Sequence, residues 1–341
     1  MTTLFEQEIR SQGLILRGRA ERGREQAERV AESWRNVSYA LVAARGSSDN
    51  AALFFQYLAG QELGLLVALA TPSLYEGETA IRLDGAGVLA VSQSGRTPGL
   101  AAVLERAVAQ GRPNAAVTND PTSPLASVAE RIIELGAGPE QAVASTKTFS
   151  ATWHALAQLV EALKGSALEG LNELPDLVER TVSWALETSL PVDALCVDGG
   201  ITVVGRGVGQ SVAAEIALKI REVAGIRSES FAAPDFLHGP IGAGGDGATL
   251  MLVITDELSD TVGGELLADS RRVGMRTVVV RPPGRAGFAG DEEIVLAESA
   301  PNWSVGLAQV LVGQVLALRL GEQRGRPIDT APGLKKVTLS A

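Results

Sequence analysis

Three hydroxyls and an amide fall within six residues at 92–97, Ser92-Gln93-Ser94-Gly95-Arg96-Thr97, directly behind the apolar run 87–91. A second hydroxyl pair, Ser47-Ser48, follows the apolar run that begins at Tyr39. Hydroxyls and backbone N–H groups gathered where a strand turns into a helix suit an anion, because the helix dipole adds to their hydrogen bonds. The same residues also fit plain N-capping, with Ser94 or Thr97 as the cap and Pro98 in the first turn. Val143-Ala144-Ser145-Thr146-Lys147 follows a Gly/Pro loop and reads either as another such turn or as one more cap. In EIALKIRE (215–222), Glu215 and Lys219 are four apart and Lys219 and Glu222 three apart, so all three can share a helix face. That face is either a solvated ladder of charges or a carboxylate base beside an ammonium group that keeps it ionised.

His238 lies in APDFLHGP (233–240), between Pro and Gly-Pro punctuation, and an ordinary imidazole pKa of about 6.5 suits a proton shuttle. The other histidine, His154, sits in an Ala/Leu-rich helical stretch and reads as structural or surface. Two separated histidines and the single cysteine, Cys196, do not make a metal-ligand set. GRGVG and GAGGDG lack the Lys-Ser/Thr of a P-loop and the spacing of a dinucleotide fingerprint. No metal and no cofactor is expected.

The elements that must position these groups alternate. A strand from Tyr39 ends in the Gly/Ser turn and leads into a helix over 49–62. Further strands are expected at 64–70, 87–92, 114–118 and 131–135, with helices at 98–110 and 123–130. Such βα alternation marks a parallel sheet covered on both faces. A second copy starts about 160 residues later: ITVVGRGVGQ (201–210) repeats the strand, Gly-rich turn and helix of YALVAARGSS (39–48), and 248–260 stands where 87–99 stands in the first. The copies differ at the turns, because Val208, Gly209, Asp256 and Glu257 replace the hydroxyls. Carboxylates repel phosphate, so only the first copy is fit to hold an anion. The expected fold class is α/β, two tandem units, each a doubly wound parallel sheet flanked by helices. Residues 4–35 read as a helical leader and 156–190 as a helical connection ending at Pro191.

The 341 residues suffice for two domains, and 45% hydrophobic with 21% charged residues is ordinary globular usage. A net charge of −10 argues against nucleic acid and anionic membranes as partners, since both are held by clustered Lys and Arg. One cysteine and the lack of an apolar leader point to a reducing cytoplasm. The apolar run 304–320 is interrupted by Gln309, Gln314 and Arg319 and reads as a buried helix, not a membrane span.

Six stretches, GSS (46–48), SQSGRTP (92–98), VASTK (143–147), EIALKIRE (215–222), HGP (238–240) and GLKKVT (333–338), occur in this order over nearly the whole chain. Together they resemble the sugar isomerase (SIS) domain family, specifically the isomerase half of glucosamine-6-phosphate synthase and the stand-alone glucosamine-6-phosphate deaminases. The resemblance implies a helical leader (1–35), a phosphate-binding SIS subdomain (36–165), a helical linker (166–195), a second SIS subdomain with the acid/base groups (196–325) and a tail closing over the site (326–341). It implies that Ser47, Ser92, Gln93, Ser94 and Thr97 hold the sugar phosphate, with Ser48, Val143 and Ser145 near the sugar. Glu222 would move the proton between C1 and C2, His238 would open the ring, Lys219 matches the family's active-site lysine, and Lys336 matches its C-terminal lysine. A homodimer is implied, with His238 reaching the neighbouring subunit.

The synthase needs an N-terminal cysteine nucleophile, whereas this chain has Thr2 there and its sole cysteine at Cys196. SGRTPG also departs from the acidic residue that the synthases place after the glycine. The expected activity is therefore a deaminase turning a phosphorylated amino sugar, glucosamine 6-phosphate, with water into fructose 6-phosphate and ammonia. The alternatives are an isomerase or deglycase of another phosphosugar or fructosamine phosphate, or a non-catalytic sugar-phosphate sensor.

Overall fold

Continuous apolar runs, rather than alternating ones, give strands that can be buried on both faces. The computed structural model describes residues 2–77, 81–255, 257–285, 288–333 and 336. In chain order, α1 (Leu4–Arg10) and α2 (Gln12–Ser33) precede β1 (Tyr39–Ala43), α3 (Ser47–Leu63), β2 (Leu66–Leu69), β3 (Ala86–Val91), α4 (Leu100–Ala109), β4 (Asn114–Thr118), α5 (Pro124–Val128) and β5 (Arg131–Glu134). Then follow α6 (Lys147–Lys164), α7 (Leu174–Glu187), α8 (Val192–Leu195), β6 (Ile201–Gly205), α9 (Val208–Lys219), β7 (Ser228–Ala232) and α10 (Ala233–Leu237). The chain continues through β8 (Thr249–Val253), α11 (Asp260–Arg272), β9 (Arg276–Arg281), β10 (Glu292–Val295) and α12 (Asn302–Gln323).

Two compact units divide the chain. One comprises the described residues within Leu14–Glu140, Lys147–Pro175 and Lys335–Ala341. Its sheet has the order β2-β1-β3-β4-β5 with every neighbouring pair parallel, Val42 standing beside Leu89 and Val91 beside Val117. All of β3 and β4 is buried. α3 packs on α6 through Phe54 stacked on Trp153, ring centroids 3.6 Å apart. Strand order reverses between β1 and β3, and an open parallel sheet binds ligands beyond the carboxyl ends of strands at such a switch point. The hydroxyl-bearing turns follow these two strands.

The other unit comprises the described residues within Met1–Gly13, Gln141–Thr146 and Asp176–Leu334. Its sheet runs β10-β9-β8-β6-β7, again all parallel, which is the first order repeated with β6 in the place of β1. The repeat extends to the backbone of the glycine before each first helix: Gly46 has φ 61°, ψ −134°, and Gly207 has φ 59°, ψ −131°. α12 is the one helix among the described residues long and apolar enough to cross a membrane, and 94% of its apolar window is buried inside the protein. Its Gln314 accepts from Gln12 at 2.8 Å.

Two segments differ from the sequence expectation. The leader breaks at Ser11 into α1, which belongs to the second-sheet unit, and α2, which belongs to the first-sheet unit from Leu14 on. The helical stretch set at 156–190 is two helices: α6 starts at Lys147, and the chain breaks after it where Gly165 (φ 68°) and Gly170 (φ 81°) adopt left-handed backbone that other residues resist. Asp256, and residues 334, 335, 337 and 338 of the GLKKVT stretch, lie outside the described residues.

His154 on α6 is 1% exposed. Burial first, then the nearby charges of Arg19 and Arg24, hold its pKa well below the ordinary value, so the folded chain keeps it neutral. The unfolded chain takes up that proton near pH ~6.5, so the stability contribution is present above that pH and is lost as pH falls through it, by at most about 1.4 kcal/mol per unit. Urea unfolding of the wild type is expected to lose midpoint between pH ~7 and ~5, with a smaller loss in His154→Gln.

Candidate functional site

The polar turn after β3 is shaped by hydrogen bonds among its own members. Ser92, 2% exposed, places its Oγ 3.0 Å from Thr97 Oγ1 and accepts from the Gly95 N–H at 3.1 Å. The Arg96 N–H donates to Ser94 Oγ at 3.2 Å. Gly95 has φ 61°, and a Cβ there would collide with the Ser123 side chain, so glycine is required on both conformational and steric grounds. The following loop closes on the turn: the Asn119 N–H donates to the Gln93 carbonyl at 3.0 Å, and the Leu125 N–H to the Gly95 carbonyl at 3.1 Å. Neither Ser94 nor Thr97 caps α4. That helix starts at Leu100 behind Gly99, which provides no side-chain cap, so the capping explanation for these hydroxyls fails.

α3 begins at Ser47 behind Gly46, again without a side-chain cap. Ser47 and Ser48 are half-buried in its first turn, where the Asp49 and Asn50 N–H groups bond the Gly46 carbonyl at 2.9 and 3.1 Å. Asp49 in the same turn is held above the usual carboxylate range by burial, with Arg45 opposing.

In the unit of the second sheet, α9 ends at Lys219 and the chain continues as a π-helical turn over Ile220–Ala224, stopped by Gly225 at φ 64°. Single π turns inside helices are rare and recur at functional positions. Lys219 is 1% exposed; its Nζ lies 3.5 Å from Glu215 Oε1 and pairs closely with Glu222 Oε2. The glutamates are unequal: Glu215 is fully buried, while the Glu222 side chain keeps 21% exposure. A buried ammonium thus holds a carboxylate that solvent reaches. The charge face expected from spacing exists, and it is interior rather than a solvated ladder.

His238 is exposed at the C-terminal end of α10, its backbone N–H bonded to the Asp235 carbonyl at 3.2 Å. Among the described hydrogen bonds and ion pairs, none joins its imidazole to Glu222 or Lys219. Val143 and Ser145 are half-buried, and the Val143 N–H donates to the Asp329 carbonyl at 3.1 Å. In the unit of the first sheet, Lys336 Nζ lies 3.0 Å from Glu140 Oε2.

With this geometry in view, comparison places the chain. The SIS domain model matches residues 35–162. The chain carries an SIS domain. The two five-stranded parallel sheets match tandem SIS subdomains: the structure of a candidate phosphosugar isomerase from Silicibacter pomeroyi superposes with TM-score 0.83 at 28% identity, covering 96% of this chain and 99% of that one. The C-terminal domain of glucosamine-fructose-6-phosphate aminotransferase from Francisella tularensis shares the fold, with TM-score 0.86 over 97% and 98% of the chains at 20% identity. Among curated sequences, the isomerising glutamine–fructose-6-phosphate aminotransferase of Streptococcus mutans is 32% identical over 262 residues, 72% of this chain and 42% of the relative. That of Halobacterium salinarum is 27% identical over 316 residues, 89% of this chain and 52% of the relative. The chain spans about half the length of the curated relatives it matches.

Sequence reasoning missed Glu140 as the buried partner of Lys336. Its carboxylate is fully buried, accepts from the Thr148 N–H at 3.1 Å and from the Thr148 hydroxyl, and so binds at the start of α6 while facing Lys336. The Arg96–Asp120 ion pair, 3.1 Å, was also missed, because its members lie on loops after different strands.

Replacing Lys219 takes one ammonium away from a fully buried carboxylate, and breaking a buried pair typically costs about 3–5 kcal/mol. Lys219→Met is expected to lose stability on this scale in urea unfolding, and Lys219→Met/Glu215→Leu to regain much of it.

Proposed function

We propose that this SIS protein is an aldose–ketose isomerising deaminase of a phosphorylated amino sugar, with glucosamine 6-phosphate as the substrate. The observation that carries the reading is the interior Lys219 flanked by Glu215 and Glu222, with Glu222 the carboxylate open to solvent. An enediol-type proton shift needs a carboxylate that is fixed in direction and reachable, and a bound ammonium fixes one of its oxygens. The hydroxyl-lined turns at 46–48, at the start of α3, and at 92–97, ahead of α4, support the phosphate half of the reading, since hydroxyls and backbone N–H groups are what a phosphate takes.

In this reading Ser47, Ser92, Gln93, Ser94 and Thr97 hold the phosphate, and Ser48, Val143 and Ser145 line the sugar. His238 moves the proton from the C1 hydroxyl to the ring oxygen and opens the ring. Glu222 takes the proton from C2, giving the enolamine, and returns it to C1, giving the ketimine. Water adds to C2 and ammonia leaves, so glucosamine 6-phosphate plus water balances fructose 6-phosphate plus ammonia. Lys219 and Lys336 supply neighbouring positive charge. The anchored phosphate fixes the reacting carbons, which converts binding into orientation. The chain acts as a homodimer, with His238 serving the neighbouring protomer.

Purified protein given glucosamine 6-phosphate is expected to release ammonia and fructose 6-phosphate in equal amounts. Glu222→Gln is expected to lower turnover by about 10²–10⁴ while sugar-phosphate binding survives. Turnover of a different phosphosugar instead would move the substrate and keep the roles; phosphosugar binding with no turnover on any would make the protein a sensor. Mixing Glu222→Gln with His238→Ala is expected to restore about a quarter of wild-type activity if His238 serves its neighbour, because half the protomers pair heterologously and each such pair has one intact site. No recovery would place His238 in its own protomer's site or show that the chain does not exchange partners, which a tag-exchange pull-down separates.

A further inference from the structure

Arg96 and Asp120 stand at the phosphate turn without a role in the scheme above. Arg96 lies between Gly95 and Thr97, and its Nη2 donates to Asp120 Oδ2 at 3.1 Å. Asp120 is on the loop after β4, the loop whose Asn119 closes on Gln93. Its other oxygen, Oδ1, accepts from the Thr122 N–H at 2.9 Å and from the Thr122 hydroxyl at 2.6 Å, so the carboxylate is fixed in position. Thr122, then Arg96, holds its pKa below the usual carboxylate range.

A fixed negative charge beside a turn that takes an anion is a repulsive element unless a cation answers it. Arg96 is that cation, and it is the one positive side chain within 92–97. Its side chain is 51% exposed and that of Asp120 33%, and an ion pair so exposed contributes little, so its partner can be exchanged at small cost. Guanidinium pairs with phosphate through parallel N–H donors, a stronger match than one N–H to a carboxylate.

We propose that Arg96 is a phosphate-binding, specificity-determining residue held in readiness by Asp120: it leaves the carboxylate for the substrate phosphate, and Asp120 sets a threshold that weakly charged ligands do not overcome. The proposal rests on the reading of the first-sheet turns as the phosphate site. It assigns the ligand class as a sugar carrying a doubly charged phosphate ester, with unphosphorylated sugars rejected.

The test is calorimetric titration of the full chain and its variants with fructose 6-phosphate and with fructose. Arg96→Ala is expected to weaken fructose 6-phosphate binding about tenfold or more, and Asp120→Asn to tighten it by a smaller factor. In the Asp120→Asn background Arg96→Ala must still weaken binding, because the guanidinium then acts on phosphate alone. Arg96→Ala without effect, or an effect that vanishes once Asp120 is neutral, overturns the proposal and leaves the phosphate site in place. Failure of the wild type to bind fructose 6-phosphate overturns the proposal together with the site reading. Arg96 is exposed and Asp120 half-buried, both on loops, and Asp120→Asn keeps an oxygen to accept from Thr122, so thermal unfolding of the variants is expected to stay close to the wild type.

Discussion

A parallel sheet buried on both faces has no solvent-facing side on which to place polar chemistry, and this constraint organises the protein. Polar groups can stand only at the strand ends and on the helices that cover the sheet. In the first unit they stand beyond the carboxyl ends of β1 and β3, where strand order reverses. The hydroxyls at these turns are placed by that topology as much as by the residues.

The second unit repeats the topology and the glycine conformation before its first helix, yet its polar group is placed differently. Lys219, Glu215 and Glu222 sit along α9 and its π-helical end, not in the turns. Burying a lysine costs several kcal/mol in desolvation, which two carboxylates within ion-pair range offset. The cluster stands where the helix departs from α geometry, so a charge-paired interior and a π-helical turn coincide.

Legibility followed the range of each interaction. β4 was read to the residue, and β3 and α4 within two residues at each end, because apolar runs and Gly/Pro punctuation are local signals. The serine and threonine turns were legible for the same reason. The break of the leader at Ser11 was not, because α1 is held by distant residues: the Phe5 N–H donates to Asp329 and the Gln141 N–H to Glu8. Glu140 and the Arg96–Asp120 pair stayed hidden because their partners lie far along the chain or on another strand's loop.

By itself the sequence determined the α/β class, the internal repeat, the hydroxyl-bearing turns and the i,i+3 and i,i+4 spacing of Glu215, Lys219 and Glu222, all of which rest on contacts between near neighbours in the chain. Only the tertiary structure decided that Ser94 and Thr97 are not helix caps, that Lys219 is interior while Glu222 reaches solvent, and that Glu140 meets Lys336. Burial and long-range pairing depend on which elements cover which, and spacing along the chain carries no record of that.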